Sequence, residues 1–205
     1  MVLIKTPYSY TKTDLKTLSM VHPDNYRNWK KKEYKNVKKN IKHYLYSEQK
    51  GICPFCRSKL NIKDKENTTI EHIAPKSKHP KFMFEPRNLA VCCYKCNNSK
   101  KNEDTLKDGC TTNTYPKESQ CFTIIHPHYD IYSDHVRIED DIFLRLVTSK
   151  AEKTFEIYDL NLLQITEEMI VNSSIQNQPD EYVKWSMQLA KNENNDVPDS
   201  IFNLF

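Results

Sequence analysis

Two Cys-x-x-Cys turns constrain this chain more than any other feature: Cys53-Pro54-Phe55-Cys56 and Cys93-Tyr94-Lys95-Cys96. A turn of this spacing offers two thiolates to one metal ion, and a second turn completes a tetrahedron around it. A redox Cys-x-x-Cys belongs in a βαβ setting and does not come doubled, so the pair reads as a structural zinc clamp. The clamp encloses 36 residues, more than the roughly 15–20 of an ordinary zinc-ribbon insert. A small functional element therefore sits between its jaws. Cys92 with Cys96 would also close a loop, but the two-residue spacing favours Cys93. Cys110 and Cys121 read as buried thiols. Seven cysteines, an odd number, without a secretory signal argue against a disulfide framework and for a reducing, cytoplasmic compartment.

Composition removes whole classes. A chain of 205 residues makes one domain with attachments. Gly51 and Gly109 are its two glycines, so neither a P-loop nor a Rossmann turn can be built. No apolar run is long enough to span a membrane. The net charge of +4 hides a division: residues 1–110 carry 24 Lys and Arg against 11 Asp and Glu, and residues 111–205 carry 7 against 16. The first half suits a polyanion; the second does not.

The enclosed stretch reads strand, loop, strand, helix. Thr68 to Ile73 is β-branched and bounded by polar residues, Pro75, Pro80 and Pro86 keep the next segment out of a helix, and Asn88 to Val91 forms a second short strand. From Tyr94 to Leu106 the chain lacks glycine and proline and is predicted helical. Glu71 and His72 are adjacent, so on a strand they face opposite ways unless the backbone kinks. Asn97 and Asn98 open the helix beside the cysteines. One carboxylate and one amide oxygen, completed by water and phosphate, suit Mg²⁺ better than Zn²⁺. A neutral histidine nearby can take a proton from water.

This order of residues resembles the cysteine-bearing branch of the HNH nucleases, the ββα-metal or His-Me finger group. Cys53/Cys56, Glu71-His72 with Pro75, Asn88-Leu89, Cys93/Cys96, Asn97 and Lys100 follow one another as that branch has them, over roughly residues 50–105. The resemblance implies His72 as general base, Glu71 and Asn97 as ligands of a catalytic Mg²⁺ or Mn²⁺, and Asn88 as a brace for the loop orienting His72. It also implies that Lys100 contacts the DNA backbone. Two departures stand out: Glu71 replaces the usual Asp, and Asn97 replaces a common His, with Asn98 as a competitor. A looser resemblance, through Ile125-His126-Pro127, Asp130, His135-Val136, Ala151, Lys153-Thr154-Phe155 and Leu160-Asn161, points to HNH subunits (PtuB-like) of Septu and retron-linked anti-phage systems. Those subunits work beside an SMC/ABC-type ATPase.

The flanks complete the expectation. Residues 26–48 carry an apolar stripe at helical spacing through Trp29, Tyr34, Val37, Ile41 and Leu45. Residues 27–50 hold nine basic side chains against two acidic ones, so Lys38 and Lys39, with Lys101 beyond the clamp, are expected to meet DNA phosphates. Downstream, residues 121–125 and 141–148 read as strands, residues 160–175 and 181–191 as helices, and the tail Ser200 to Phe205 as an apolar docking peptide. His126 and His128 read as structural. The expected fold is α+β: a ββα-metal finger with a four-cysteine clamp, preceded by a basic helix and followed by a mixed extension. The segments are 1–49, 50–106 and 107–205. The expected function is hydrolysis of DNA phosphodiesters, as a defence subunit with an ATPase partner. A stand-alone restriction-like nuclease and a zinc-stabilised DNA-binding module without catalysis are the rivals.

Overall fold

The computed structural model describes residues 3–20, 25–110, 113–139 and 143–161. The expected helices over 160–175 and 181–191 and the apolar tail therefore lie essentially outside the described residues.

The first helix, α1 (Lys12–Leu18), starts in a capping box: Thr11 accepts from the Asp14 amide, and Asp14 accepts from the Thr11 amide. The basic segment that follows is not one helix. Two 3₁₀ turns, Tyr26–Lys30 and Lys32–Tyr34, are separated by an extended Lys31 (ψ 143°), and only then does α2 (Lys35–Glu48) begin. Trp29 leaves the expected stripe because its ring is engaged elsewhere. Val37, Ile41 and Leu45 keep the i, i+4, i+8 spacing and are fully or almost fully buried. Each contributes about 1.5–3 kcal/mol by its burial. The next residue inward, Gln49, reads the edge of a strand with both ends of its amide. Its Oε1 accepts from Val91 N–H at 2.8 Å and its Nε2 donates to Val91 O at 2.6 Å.

The centre is the antiparallel pair β1 (Thr68–His72) and β2 (Leu89–Cys93), in the register Glu71 to Ala90 and His72 to Leu89, followed directly by α3 (Tyr94–Lys100). This is the expected strand–loop–strand–helix. α3 is shorter than the run ending at Leu106, because Lys101 turns to φ 50° and ends it.

Downstream, the expected strand at 121–125 is a single bridge, Leu106 to Phe122. The strand around 143–146 exists as β4 (Phe143–Leu146), paired with β3 (Val136–Glu139), which periodicity does not reveal in four residues. A four-residue turn α4 (Tyr132–His135) precedes this hairpin and α5 (Ser149–Ile157), capped by Thr148, follows it. One hydrophobic cluster draws on all three sequence segments: Ile4 and Ile41, Phe55 and Val91, Phe122 and Tyr158. Within it the Tyr158 ring stacks on Phe55 at 3.8 Å. The described part is thus the expected α+β arrangement. No helix among the described residues is long and apolar enough to cross a membrane.

The segment between α3 and Phe122 is closed by a covalent link. Cys110 and Cys121 are joined in a disulfide with 5.5 Å between their Cα atoms, which corrects the reading of both as buried thiols. The sequence hides the approach. Lys107 N–H donates to Cys121 O at 2.9 Å, and that bond folds the loop back on itself.

Candidate active site and metal clamp

The clamp is built by two tight turns. The first follows Gly51, held at φ 66°, a conformation that strains any residue with a side chain; an added Cβ would also stand 2.9 Å from Tyr46 Oη, which would have to shift. The chain then doubles back, with Cys53 N–H donating to Ser58 O and Arg57 N–H to Cys53 O. The second turn is the junction of β2 and α3, where Cys93 Sγ caps the helix by accepting from Cys96 N–H. The Sγ atoms of Cys53 and Cys96 lie 3.9 Å apart and those of Cys56 and Cys93 3.6 Å apart. All four sulfurs fall within 4.8 Å of one another. A tetrahedral zinc ion with bonds of about 2.3 Å sets its sulfurs about 3.8 Å apart, so four thiolates at these separations fit Zn²⁺. Cys92 is outside the group, buried against Thr69. Among the described residues these cysteines form the one group of three or more His, Cys, Asp or Glu that could share an ion.

Glu71 and His72 close β1 without a kink, so they face opposite ways. His72 Nε2 lies 3.1 Å from Met83 O. A carbonyl only accepts, so Nε2 carries the proton and Nδ1 keeps the lone pair. Burial pushes the imidazole well below its ordinary value, and the neighbouring Lys76 charge adds to that, so the ring is neutral at pH 7. The loop that carries Met83 is held in turn by Asn88, fully buried at its foot. Asn88 Oδ1 accepts from Ala74 N–H at 2.7 Å, and its Nδ2 donates to Ala74 O at 3.0 Å and Phe82 O at 2.9 Å. Asn88 thus ties both ends of the loop between the strands.

On the other face Glu71, 3% exposed, meets α3. Lys100 Nζ stands 2.8 Å from Glu71 Oε1, yet that oxygen makes no aligned hydrogen bond. Burial raises the carboxyl above its ordinary value, and Lys100 opposes the shift. Asn97, one turn earlier on α3, donates from Nδ2 to Thr69 Oγ1 at 2.8 Å, which leaves its amide oxygen for a cation. A buried carboxylate oxygen short of partners and an amide oxygen on the adjoining helix are hard donors, and they fit Mg²⁺ or Mn²⁺.

Lys100 corrects one expectation. It is 2% exposed, with Nζ donating to His72 O at 2.9 Å as well as meeting Glu71. An ammonium so enclosed holds the two site residues together and has no face toward a DNA backbone. Lys39 and Lys101 are exposed; Lys38 is half-buried and lies on Trp29. Lys38 and Lys39 join Lys35, Lys42, Lys65 and Lys76 along an open groove of about 870 Å³, to which Thr69 and Asn97 also contribute and which no acidic residue among those described lines. Trp29, Lys76 and Thr69 escaped the sequence reading. Lys76, one residue after Pro75, carried a signal; Trp29 carried none, because its spacing placed it in the stripe of α2.

His126 and His128 hold a loop against β2. Asp130 accepts from His126 N–H at 2.7 Å, His126 Nδ1 from His128 N–H at 3.2 Å, and Leu89 O from His128 Nε2 at 2.9 Å.

A short antiparallel pair followed by a helix, framed by four cysteines and carrying an imidazole and a carboxylate on successive residues of β1, fits a ββα-metal finger. Residues 53–103 match the family model described as HNH endonuclease, which supports a nuclease function in general. No curated protein matches the chain.

Proposed function

We propose that the chain is a divalent-metal-dependent endonuclease that hydrolyses DNA phosphodiesters, with Zn²⁺ in the cysteine clamp. The observation that supports it most is the pinned tautomer: Met83 O accepts from the Nε2–H of His72, so Nδ1 is the basic atom. Nδ1 takes the proton from the attacking water, Asn88 and Lys100 hold the base in position, and the groove lysines bind phosphates. Glu71 and Asn97 would hold Mg²⁺ or Mn²⁺, which stabilises charge on the phosphate and the leaving oxygen. Phosphate contacts position the backbone without reading sequence.

The test is His72→Ala on supercoiled plasmid with Mg²⁺ or Mn²⁺. Nicking should disappear while zinc content and DNA affinity stay at parental levels. A variant that nicks as well as the parent refutes the mechanism. The second reading, a DNA-binding module without catalysis, is favoured by Lys100, which already neutralises Glu71; it predicts no nicking from the parent either. The finer reading, a defence subunit beside an ATPase, rests on residues 125–161. It predicts cleavage only on co-expression with an SMC/ABC-type ATPase partner, whereas a stand-alone nuclease cuts by itself.

A further inference from the structure

His72 does not line the lysine groove; Trp29 does, and Trp29 also stands edge-on against His72 with ring centroids 4.4 Å apart. The indole is therefore the partition between the polyanion-binding surface and the base, and His72 is 3% exposed behind it. Trp29 sits in the five-residue 3₁₀ turn Tyr26–Lys30, which contains no buried residue, and turns of that type have poor hydrogen-bond geometry. Phe84 touches the ring at 5.2 Å. A further hold is Lys38, whose Nζ donates to Trp29 O at 2.7 Å and lies 5.4 Å from the centre of its ring. Lys38 is also a groove lysine. By contrast, α2 is anchored through Val37, Ile41 and Leu45. Segments with few buried contacts open at lower cost than the elements beside them.

We propose that the Tyr26–Lys30 turn is a cover over His72, opened by the nucleic-acid backbone itself: phosphates seated among the groove lysines draw Lys38 away from Trp29, and the freed indole swings off the base. Phosphate competes for Lys38 because a charge-assisted bond to an anion is stronger than one to a carbonyl. The catalytic consequence rests on His72 as the nuclease base; the movement of Trp29 does not.

The experiment reads both. With Trp185 replaced by Phe, emission reports Trp29 alone. A phosphorothioate duplex that resists cleavage, added without divalent metal while binding is followed by anisotropy, should shift that emission to the red and increase its quenching by acrylamide. Lys38→Gln should leave the indole quenchable before any duplex is added. Trp29→Ala should hydrolyse bis(p-nitrophenyl) phosphate, a diester too small to span the groove, about tenfold faster than the parent, as for a cover open about one time in ten. Emission and quenching unchanged by a bound duplex overturn the cover, as does a duplex that fails to bind. A shifted Trp29 without hydrolysis of any substrate supports the cover and overturns the nuclease reading. Hydrolysis with a static Trp29 does the reverse. If Trp29→Ala loses its zinc through misfolding, the Lys38→Gln quenching result decides.

Discussion

Asn88→Ala tests whether the loop between the strands is a brace or a passive connection. Truncation removes three hydrogen bonds and leaves the Ala74 N–H and two carbonyl faces in a region where Asn88 and Ala74 are fully buried. An orphaned buried group costs about 1–3 kcal/mol, with an amide N–H nearer the top of that range than a carbonyl that has a second lone pair. The sum is about 3–5 kcal/mol, a large share of the roughly 5–15 kcal/mol that holds a domain folded. With an m-value of about 2 kcal/mol/M, the urea midpoint should fall by about 1.5–2.5 M. The assay is urea unfolding followed by circular dichroism with zinc in excess. Asn88→Asp adds a control. It keeps the acceptor for Ala74 N–H, loses both donations and buries a charge, so it should be at least as unstable. Because Met83 O follows the Phe82 carbonyl that Asn88 holds, nicking should fall further than DNA affinity in any folded fraction. A midpoint within about 0.5 M of the parent for either variant would refute the argument.

Two other outcomes follow from the clamp and the histidine loop. Cys96→Ser should lose the zinc and unfold the finger, because the binding free energy of a structural zinc is on the order of 10 kcal/mol and exceeds what the small core supplies; a folded, cooperative Cys96→Ser protein by calorimetry sinks the clamp. Stability should also fall with acid. Burial, with the charges of His128 and Lys150, holds His126 well below the ordinary value, and burial holds His128 down to about 4. Between pH 6.5 and 4 the unfolded chain takes up protons that the native imidazoles refuse. Stability is therefore full above about pH 6.5 and declines by about 1.4 kcal/mol per pH unit for each group as pH falls. Urea midpoints at pH 7, 6 and 5 measure the slope. His128→Asn should make it shallower, and an identical slope in parent and variant counts against the assignment.

The site was more legible than the frame around it. Cysteine spacing, β-branched Thr68 to Ile70 and the prolines after Ala74 are local signals, and each survives in the structure because tight turns and strand conformation are set by neighbouring residues. Trp29 was misread because a 3.6-residue period cannot distinguish a ring packed on its own helix stripe from one that leaves the stripe to cover a histidine. The resemblance placed Lys100 on the DNA backbone, but its burial depends on Glu71, which reaches it only through the packing of β1 against α3. The Cys110–Cys121 disulfide and the β3–β4 hairpin depend on loop closure, for which these short segments carry no periodic signature.

Phe55 lies between the first two cysteines, and its inner face is covered by Tyr158, which belongs to the end of α5. The stretch that resembles a nuclease is consequently not a portable cassette. Excised at its own boundaries, it would leave an aromatic surface bare directly behind the metal knuckle. A graft of this finger into another protein has to bring along the tyrosine, and the hairpin and helix that carry it.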